Sequence, residues 1–444
     1  MAIGHPTHYT SREVLQAIFS RREIIRIEMV KEMRIAMLSY HTCPLAILGG
    51  KDTGGMNVYV RELTRHLGKM GVHVDVYTRS QDEHVPHIIH DLGYGNRVVH
   101  VPSGPELPLP RKELAAHLPG FVEWVLNFSK DKDLEYDLIH SHYWMSGLAA
   151  SELKKVWHIP VVHMFHTLGL MKNHIAGDEE YEGNYRIHGE LEVLKITDKV
   201  IASTVAELAQ IQWLYEVKTE NITVVPPGVD LNHFYPIPQD EAREYIGAEK
   251  NDRLLLFVGR IEPLKGIDTL LHALAQMKQR GVLERHEICL PIIGGDASVS
   301  EEQMTAEMLR LQSLREELGL DDFVKFLGKR SQDSLPYYYS AADILVMPSH
   351  YESFGIVALE AMACGTPVVA SQVGGLKHLI EDGVTGFLVP NRDADSLSEK
   401  LTLLLDNYNL HQQMGEKAAA HAKQYAWDII APRILDVYRS MVSE

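Results

Sequence analysis

Two glutamates near residue 350 have a spacing that would let them bind separate hydroxyl-bearing parts of one ligand. The segment 348–371 has the pattern of a strand end, a loop that carries Glu352 and a helix that carries Glu360. If the helix began at Glu352, Glu360 would lie two turns further, roughly 12 Å along the axis. One carboxylate could then accept hydrogen bonds from a sugar ring and the other from a ribose. Taken singly, Glu352 could instead be an N-cap acid and Glu360 a solvated helix residue.

Two cations occur where an open α/β sheet binds its ligands. Arg260 ends a predicted strand, and Lys265 follows in the loop before the next helix. Ligands of such folds bind beyond the carboxyl ends of parallel strands. A guanidinium and an ammonium at that place can neutralise a leaving diphosphate, although two solvated surface charges would give the same pattern.

A glycine-rich loop, 48–55, separates a predicted strand from a predicted helix in the first half of the chain. Gly54 and Gly55 immediately precede the helix. Because they have no Cβ atom, a ligand can approach the backbone there, and the helix N-terminus offers unpaired N–H groups to a phosphate. The loop matches neither the dinucleotide-binding nor the Walker pattern, so a tight strand-to-helix turn remains an alternative.

Two series of alternating strands and helices must position these residues. The first begins with the strand 33–40 and ends near the proline-rich segment 222–238, and the second begins with the strand 254–260. Strands that alternate with helices favour parallel sheets. We therefore predict an α/β protein with two Rossmann-like, doubly wound domains, 33–235 and 236–425.

Two terminal segments lie outside the predicted domains. Residues 426–444 predict a C-terminal helix that could pack back on the N-terminal domain. Residues 1–32 alternate charged and apolar residues and predict a helical N-terminal extension. The alternatives for this extension are translation from Met33 and a helix that lies on a membrane surface.

Composition limits the partners and the compartment. The 444 residues carry a net charge of −17, which argues against nucleic acid and against an anionic membrane as the main partner. Three cysteines are too few and too far apart for a disulfide framework, and no apolar run is long enough for a membrane span. We therefore expect a cytoplasmic protein without a membrane span, and a homodimer is possible.

The motifs together make the chain similar to a known enzyme family. Glu352 and Glu360 form the E-x7-E signature of retaining glycosyltransferases of family 4, which have the GT-B fold. The chain most resembles the D-inositol-3-phosphate glycosyltransferases of mycothiol synthesis, with sucrose-phosphate synthases as relatives. The segments that carry this resemblance are 54–60, 140–147, 258–265 and 352–355.

This resemblance implies a reaction. A hexose or N-acetylhexosamine would move from a nucleotide sugar, UDP-linked in the family, to a hydroxyl of a small molecule. A phosphorylated polyol or sugar such as inositol phosphate is the implied acceptor, and no metal or other cofactor is required. The alternatives are transfer like that of sucrose-phosphate synthase, a nucleotide-sugar epimerase and a binding module without catalysis. A glycoside hydrolase fits less well, because the glutamates are assigned to the donor.

The resemblance also implies roles for individual residues. The catalytic residues would be His166, Arg260, Lys265 and Glu352. The donor-binding residues would be Gly55, Arg260, Lys265, Glu352, Ser353, Phe354, Gly355 and Glu360. The acceptor-binding residues would be Asn57, Tyr143, Thr167 and Arg186, with Arg111 or Lys112 where relatives have a lysine. The chain departs from the sucrose-phosphate synthases at Ser353, where they usually have proline, and from the expected Gly-Gly-Pro-Ser pattern at 294–296.

Histidines are concentrated in the first half, with 18 of 24 before residue 236. Two pairs, His140 with His142 and His163 with His166, have short spacings that metal sites also use. No carboxylate follows at the spacing of a metallohydrolase, and Arg260 with Lys265 can balance the diphosphate. We therefore predict no metal site, structural roles for His140 and His163, and a hydrogen bond from His166 to a sugar hydroxyl.

Overall fold

The computed structural model describes residues 32–47, 53–175, 182–218, 220–249, 252–295 and 304–442. The predicted helical extension, 1–32, lies outside these residues apart from Glu32. Within the described residues, no helix is both long enough and apolar enough to cross a bilayer.

The described strands include the two predicted at the start of each series, 33–40 and 254–260, to within two residues at each end. They are β1 (Arg34–Leu38), β2 (His73–Arg79), β3 (Ile88–Ile89), β4 (Arg97–Val101), β5 (Leu138–His142), β6 (Val161–Met164), β7 (Lys199–Ala202), β8 (Ile222–Val224), β9 (Arg253–Val258), β10 (Ile288–Ile293), β11 (Val324–Gly328), β12 (Ile344–Met347), β13 (Val368–Ser371) and β14 (Gly386–Val389).

Helices fill most of the connections between the strands. The described α-helices are α1 (Gly55–Lys69), α2 (Arg111–Leu114), α3 (Leu118–Asp131), α4 (Trp144–Trp157), α5 (Gly169–Ile175), α6 (Asn184–Ile196), α7 (Val205–Tyr215), α8 (Gln239–Ile246), α9 (Ile267–Gln279), α10 (Val282–His286), α11 (Ala306–Glu317), α12 (Leu335–Ala341), α13 (Ile356–Ala363), α14 (Leu376–Leu379), α15 (Ala394–Asp406), α16 (Tyr408–Ala422) and α17 (Trp427–Val442).

The first sheet has the strand order β3-β4-β2-β1-β5-β6-β7-β8. All its pairs are parallel except that of β3 with β4 at one edge, which is antiparallel. The sequence did not predict β3, because two residues show no periodicity. Strand β1 lies between β2 and β5, so the strand order reverses direction there. Ligands of doubly wound folds bind beyond the carboxyl ends of the strands at such a reversal.

The second sheet has the order β11-β10-β9-β12-β13-β14 and is parallel throughout. Here β9 takes the place that β1 has in the first sheet, between β10 and β12. The predicted fold class is therefore confirmed: two Rossmann-like, doubly wound α/β domains, with the candidate ligand residues at the carboxyl edges of both sheets.

The last helix, α17, packs on the N-terminal sheet. Its residues Trp427, Ile434 and Tyr438 are almost fully buried, in one apolar cluster with Ile35 of β1 and Leu63 of α1. The chain returns to this sheet beside the segment that leaves it. The Val229 N–H donates to the Tyr425 carbonyl over 2.8 Å, and the Trp427 N–H donates to the Val229 carbonyl over 3.1 Å. These contacts tie the end of the chain to the interdomain connection.

Candidate active site

A cavity of about 230 Å³ lies between the two domains. Its walls come from loops that follow the carboxyl ends of strands in both sheets. The predicted residues that line it are Gly55, Asn57, Arg111, Tyr143, His166, Thr167, Arg260, Lys265, Glu352, Ser353, Phe354, Gly355 and Glu360. Of the residues predicted from the sequence, Arg186 and Lys112 do not line it.

The two predicted donor-site cations each have a carboxylate partner. The Lys265 Nζ atom lies 2.6 Å from Glu352 Oε2, and both side chains are less than one-fifth exposed. The Arg260 guanidinium pairs with Glu262 at 2.8 Å. Arg260 follows β9 directly, and Lys265 ends a short 3₁₀ turn at 263–265. Lys265 and Glu352 are therefore in direct contact, and Arg260 lines the same cavity.

A glycine turn holds the loop that carries Glu352. The Gly375 N–H donates to the Glu352 carbonyl over 2.9 Å. Gly374 has a φ of +45°, and a Cβ atom on it would lie 1.8 Å from the same carbonyl oxygen. Helix α13 begins only at Ile356, so Glu352 is a loop residue and neither starts nor caps the helix. The helical spacing considered for the two glutamates therefore does not apply.

Glu360 is enclosed at the back of the cavity. Its carboxylate accepts a hydrogen bond from the Tyr339 hydroxyl over 2.8 Å, and only 4% of the residue is exposed. Burial raises the pKa of this carboxyl to about 7, although the Tyr339 hydrogen bond and the Arg61 charge act to lower it. The protonation state of Glu360 can therefore change near neutral pH.

On the N-terminal side, Asn57 holds the glycine loop in place. Its Oδ1 accepts from the Gly54 N–H over 2.9 Å, and its Nδ2 donates at 2.7 Å to both Thr42 Oγ1 and the Cys43 carbonyl. The Asn57 amide is therefore engaged inside the protein, and a contact with an acceptor stays a prediction. A Cβ atom on Gly55 would lie 3.2 Å from Ile356 of the other domain, so glycine permits this close approach.

His166 lies just beyond β6 and has a φ of +61°. Its Nε2 atom is 2.9 Å from His142 Nδ1. Burial lowers the pKa of His166 to about 3 and that of His142 well below its ordinary value, so both rings are neutral at physiological pH. His166 can thus offer a hydrogen bond to a ligand but carries no positive charge.

Three of the predicted acceptor residues, Tyr143, Thr167 and Arg186, form one connected group. The Arg186 guanidinium donates to Thr167 Oγ1 over 3.1 Å and lies over the Tyr143 ring at 5.0 Å. It is buried in ion pairs with Glu182 and Glu190. Arg186 thus touches two of the predicted acceptor residues but reaches the cavity only through them. This differs from the direct contact that the sequence predicted.

The structure distinguishes Arg111 from Lys112. Arg111 begins α2 and lines the cavity, whereas Lys112 is exposed and does not line it. A second cation, Lys172, also lines the cavity and pairs with Glu182 at 3.2 Å. Burial lowers the Lys172 pKa, and the Arg186 and Arg111 charges act in the same direction. The sequence offered no signal for Lys172, because a lysine on a short helix is common.

Within the described residues, no group of three or more His, Cys, Asp or Glu side chains could hold a metal ion. His140 and His163 instead make hydrogen bonds inside the protein, the first with the Tyr438 hydroxyl at 2.6 Å and the second with Ser141 Oγ at 2.8 Å.

Comparisons with known proteins agree with this architecture. The family model described as Glycosyltransferase Family 4 matches residues 53–233, and the one described as Glycosyl transferases group 1 matches residues 238–421. The chain is 39% identical over 413 residues to D-inositol 3-phosphate glycosyltransferase 2 of Catenulispora acidiphila, covering 93% of this chain and 96% of the relative. It is 40% identical over 413 residues to a D-inositol 3-phosphate glycosyltransferase of Thermomonospora curvata, covering 91% and 95%.

Solved structures are also similar. Sucrose-phosphate synthase from Thermosynechococcus elongatus has a TM-score of 0.84 and 33% identity, covering 93% of this chain and all of the other. Anabaena HepE in complex with UDP-glucose has a TM-score of 0.71 at 22% identity, covering 92% of this chain and all of the other, and shows the fold alone.

Two doubly wound domains that face a shared cleft define a protein with the GT-B glycosyltransferase fold. The chain belongs to the group 1, or family 4, glycosyltransferases. The family resemblance and the enzyme class expected from the sequence are both confirmed.

Proposed function

We propose that this enzyme transfers a hexose or N-acetylhexosamine from a UDP-sugar to a hydroxyl of a phosphorylated polyol or sugar, with retention of the anomeric configuration. The observation that carries the proposal is the arrangement of charge in the cavity. One set of lining residues, which we call the donor end, combines Arg260 and Lys265 with two glutamates, and a second set, the acceptor end, has Arg111 and Lys172. An acidic protein has thus gathered cations in one cavity, as anionic substrates require.

The donor end fits a nucleotide diphosphate sugar. Arg260 and Lys265 can bind the diphosphate, because charge-assisted hydrogen bonds to phosphate are strong. Glu352, 2.6 Å from Lys265, would accept hydrogen bonds from sugar hydroxyls, and the enclosed Glu360 would accept them from the ribose. Because the sequence resemblance implies a UDP-linked donor, a uridine nucleotide is the first donor to test.

The acceptor end fits a small phosphorylated molecule. Arg111 and Lys172 line the wall there, and the buried Arg186 fixes Thr167 beside Tyr143. The relatives named D-inositol 3-phosphate glycosyltransferase support inositol phosphate as the first acceptor to test. A second candidate is transfer to a hexose phosphate, since the chain is similar to a sucrose-phosphate synthase over 93% of its length.

The site favours transfer on the face of the sugar from which the diphosphate leaves. The bond between the anomeric carbon and the phosphate oxygen breaks, and the acceptor oxygen forms its bond on the same face. The acceptor proton passes to the leaving phosphate oxygen, whose charge Arg260 and Lys265 stabilise. We assign no covalent nucleophile, because the carboxylate proposed to contact the sugar, Glu352, is paired with Lys265 at 2.6 Å. We expect the reaction to need no metal, and chelation should leave the rate unchanged.

The experiment is a mass-spectrometric screen of UDP-glucose and UDP-N-acetylglucosamine against inositol 3-phosphate, fructose 6-phosphate and their unphosphorylated forms. We expect much more product with one phosphorylated acceptor than with its neutral counterpart. If the enzyme epimerises the donor when no acceptor is present, its reaction is epimerisation and not transfer. Tight UDP binding without product from any pair would support a binding module. Light scattering on the same sample tests whether the protein forms a homodimer.

A further inference from the structure

A second histidine stands behind the one that lines the cavity. His142 ends β5, is fully buried, and places its Nδ1 atom 2.9 Å from Nε2 of His166. With Nε2 turned toward His142, the Nδ1 edge of the His166 ring is the one left for a ligand in the cavity. The partner of Nε2 therefore decides whether that edge donates or accepts a hydrogen bond.

One proton lies between the two rings, and the surroundings favour one position for it. If His166 held it, His142 would carry its own proton on Nε2, as a buried N–H with no acceptor in the described part of the chain. If His142 Nδ1 holds it, only an unpaired acceptor is left at that Nε2. Buried N–H groups without an acceptor are the rarer of the two defects. The proton therefore belongs on His142 Nδ1, and His166 carries its own on Nδ1.

We propose that His142 is a positioning residue. It makes no contact with the substrate, but it fixes His166 as the tautomer that donates a hydrogen bond from Nδ1 into the cavity. This inference rests on the proposed function only in taking the acceptor of that bond to be a donor-sugar hydroxyl. A ring held this way cannot act as a base through Nδ1, which agrees with transfer that needs no enzymatic base.

Neighbouring side chains hold the His142 ring in place. The His140 ring lies 4.1 Å from it, and the Tyr438 hydroxyl of α17 fixes His140 at 2.6 Å. The edge of Tyr59 meets both His142 and His166, with ring centroids 5.6 and 5.3 Å apart. Because its neighbours already confine the His166 ring, the ring loses little additional entropy when a substrate binds. Part of the histidine excess of the first half therefore supports one catalytic contact.

The test compares His142→Asn with His142→Leu. The asparagine amide can place a donor near the position of Nδ1, whereas leucine fills space without a donor. The matched control is His163→Leu, because His163 is equally buried at the neighbouring strand but does not contact His166. We expect kcat to fall about 10- to 100-fold in His142→Leu, the effect of one lost hydrogen bond in a dry site, and less than about 5-fold in the other two. UDP affinity should stay within about 2-fold in all three, since the diphosphate contacts remain.

A set of deoxy donor sugars gives a readout that loss of packing would not move. The deoxy position that most slows the wild type and His163→Leu should cause no additional loss in His142→Leu. Equal kcat losses in the two leucine variants, equal losses with asparagine and leucine, or an unchanged deoxy penalty would each overturn the proposal.

The tautomer itself is measured without any turnover. In protein labelled with ¹⁵N at histidine, the His166 Nδ1 shift should be that of a protonated nitrogen and Nε2 that of an unprotonated one. The reverse assignment would overturn the proposal even if the enzyme transfers sugar. If the wild type transfers none, the proposed function fails and this spectrum still decides the tautomer.

Discussion

At the proposed donor end, Lys265 and Glu352 form a salt bridge. Lys265 and Glu352 are 2.6 Å apart and less than one-fifth exposed, so each sets the position of the other. A leaving diphosphate needs the ammonium in the transition state more than in the ground state, because the negative charge on its bridging oxygen grows as the bond breaks. Lys265 should therefore act on the chemical step.

Replacing Lys265 by alanine should lower kcat by about 10²- to 10³-fold, the size of effect seen when one charge-stabilising donor is removed. Glu352→Gln should lower kcat/KM for the donor while keeping the volume of the side chain. Steady-state kinetics with saturating acceptor measure both effects. Melting temperatures within a few degrees of the wild type are the control for folding, and near wild-type turnover in either variant would refute these roles.

Glu360 should make donor binding depend on pH. Its pKa is raised to about 7 by burial, from an ordinary value of 4.5. The folded protein therefore holds this proton more tightly than the unfolded chain, and ionisation of Glu360 costs stability as pH rises from 4.5 through 7. Ionised Glu360 is the stronger acceptor for ribose hydroxyls, so donor affinity should fall as pH drops through 7.

Calorimetric titration of UDP-glucose between pH 6 and 8 measures this effect. We expect the wild type to lose up to about 10-fold in affinity toward the acid end, as expected for an acceptor that loses its charge. Glu360→Gln cannot ionise and should show a flat profile at lower affinity. A slope in the variant equal to that of the wild type would assign the titration to another group.

At the scale of elements, loops after strand ends assemble the cavity. Tyr143 follows β5, His166 follows β6, Arg260 follows β9 and Glu352 lies beyond β12. The sequence predicted these strands because each is a short apolar run, and their parallel order brings their ends together. It did not predict that the loop with Glu352 rests on Gly374, because that contact joins segments more than twenty residues apart and leaves no periodic signal.

Gly374 offers a sharp test of how the Glu352 loop is positioned. Both Gly374 and Gly383 have positive φ, but a Cβ atom on Gly383 would meet nothing within 4 Å. Gly383→Ala should cost only the backbone strain, about 1–2 kcal/mol, with donor kinetics unchanged. Gly374→Ala has the same strain and must also displace the Glu352 carbonyl, so kcat/KM for the donor should fall at least about 10-fold. Chemical denaturation measures the loss of stability and steady-state kinetics measure kcat/KM for the donor in both variants. Equal donor kinetics would show that Gly374 does not position the Glu352 loop.

The second contact that the sequence could not show joins the domains. Ser203 Oγ lies 3.4 Å from the Ser353 carbonyl, next to Glu352, and also donates to the buried Glu207. Burial raises the pKa of Glu207, while the Ser203 hydrogen bonds act against that rise. Contacts between domains depend on how the two sheets are oriented relative to each other, and residue patterns along the sequence do not show this orientation.

At the scale of the whole molecule, net charge and local charge have opposite signs. The chain carries −17, yet Arg260, Lys265, Arg111 and Lys172 line one cavity. The family resemblance supplied most of these positions from short motifs, because motif residues recur at fixed places relative to strand ends. It placed Arg186 in the acceptor wall, whereas burial between Glu182 and Glu190 makes Arg186 a support for Thr167. Lys172 was found only from the structure.

Arg111 should select a phosphorylated acceptor, and the acceptor preference of matched variants decides whether it does. The measurement is kcat/KM for phosphorylated against unphosphorylated acceptor in the wild type, Arg111→Ala and Lys112→Ala, since Lys112 is the adjacent cation that does not line the cavity. We expect a wild-type preference that Lys112→Ala keeps and Arg111→Ala lowers by about 10- to 100-fold, with the neutral acceptor little affected. Equal loss with both acceptors in Arg111→Ala, or no wild-type preference for the phosphorylated acceptor, would refute this role of Arg111.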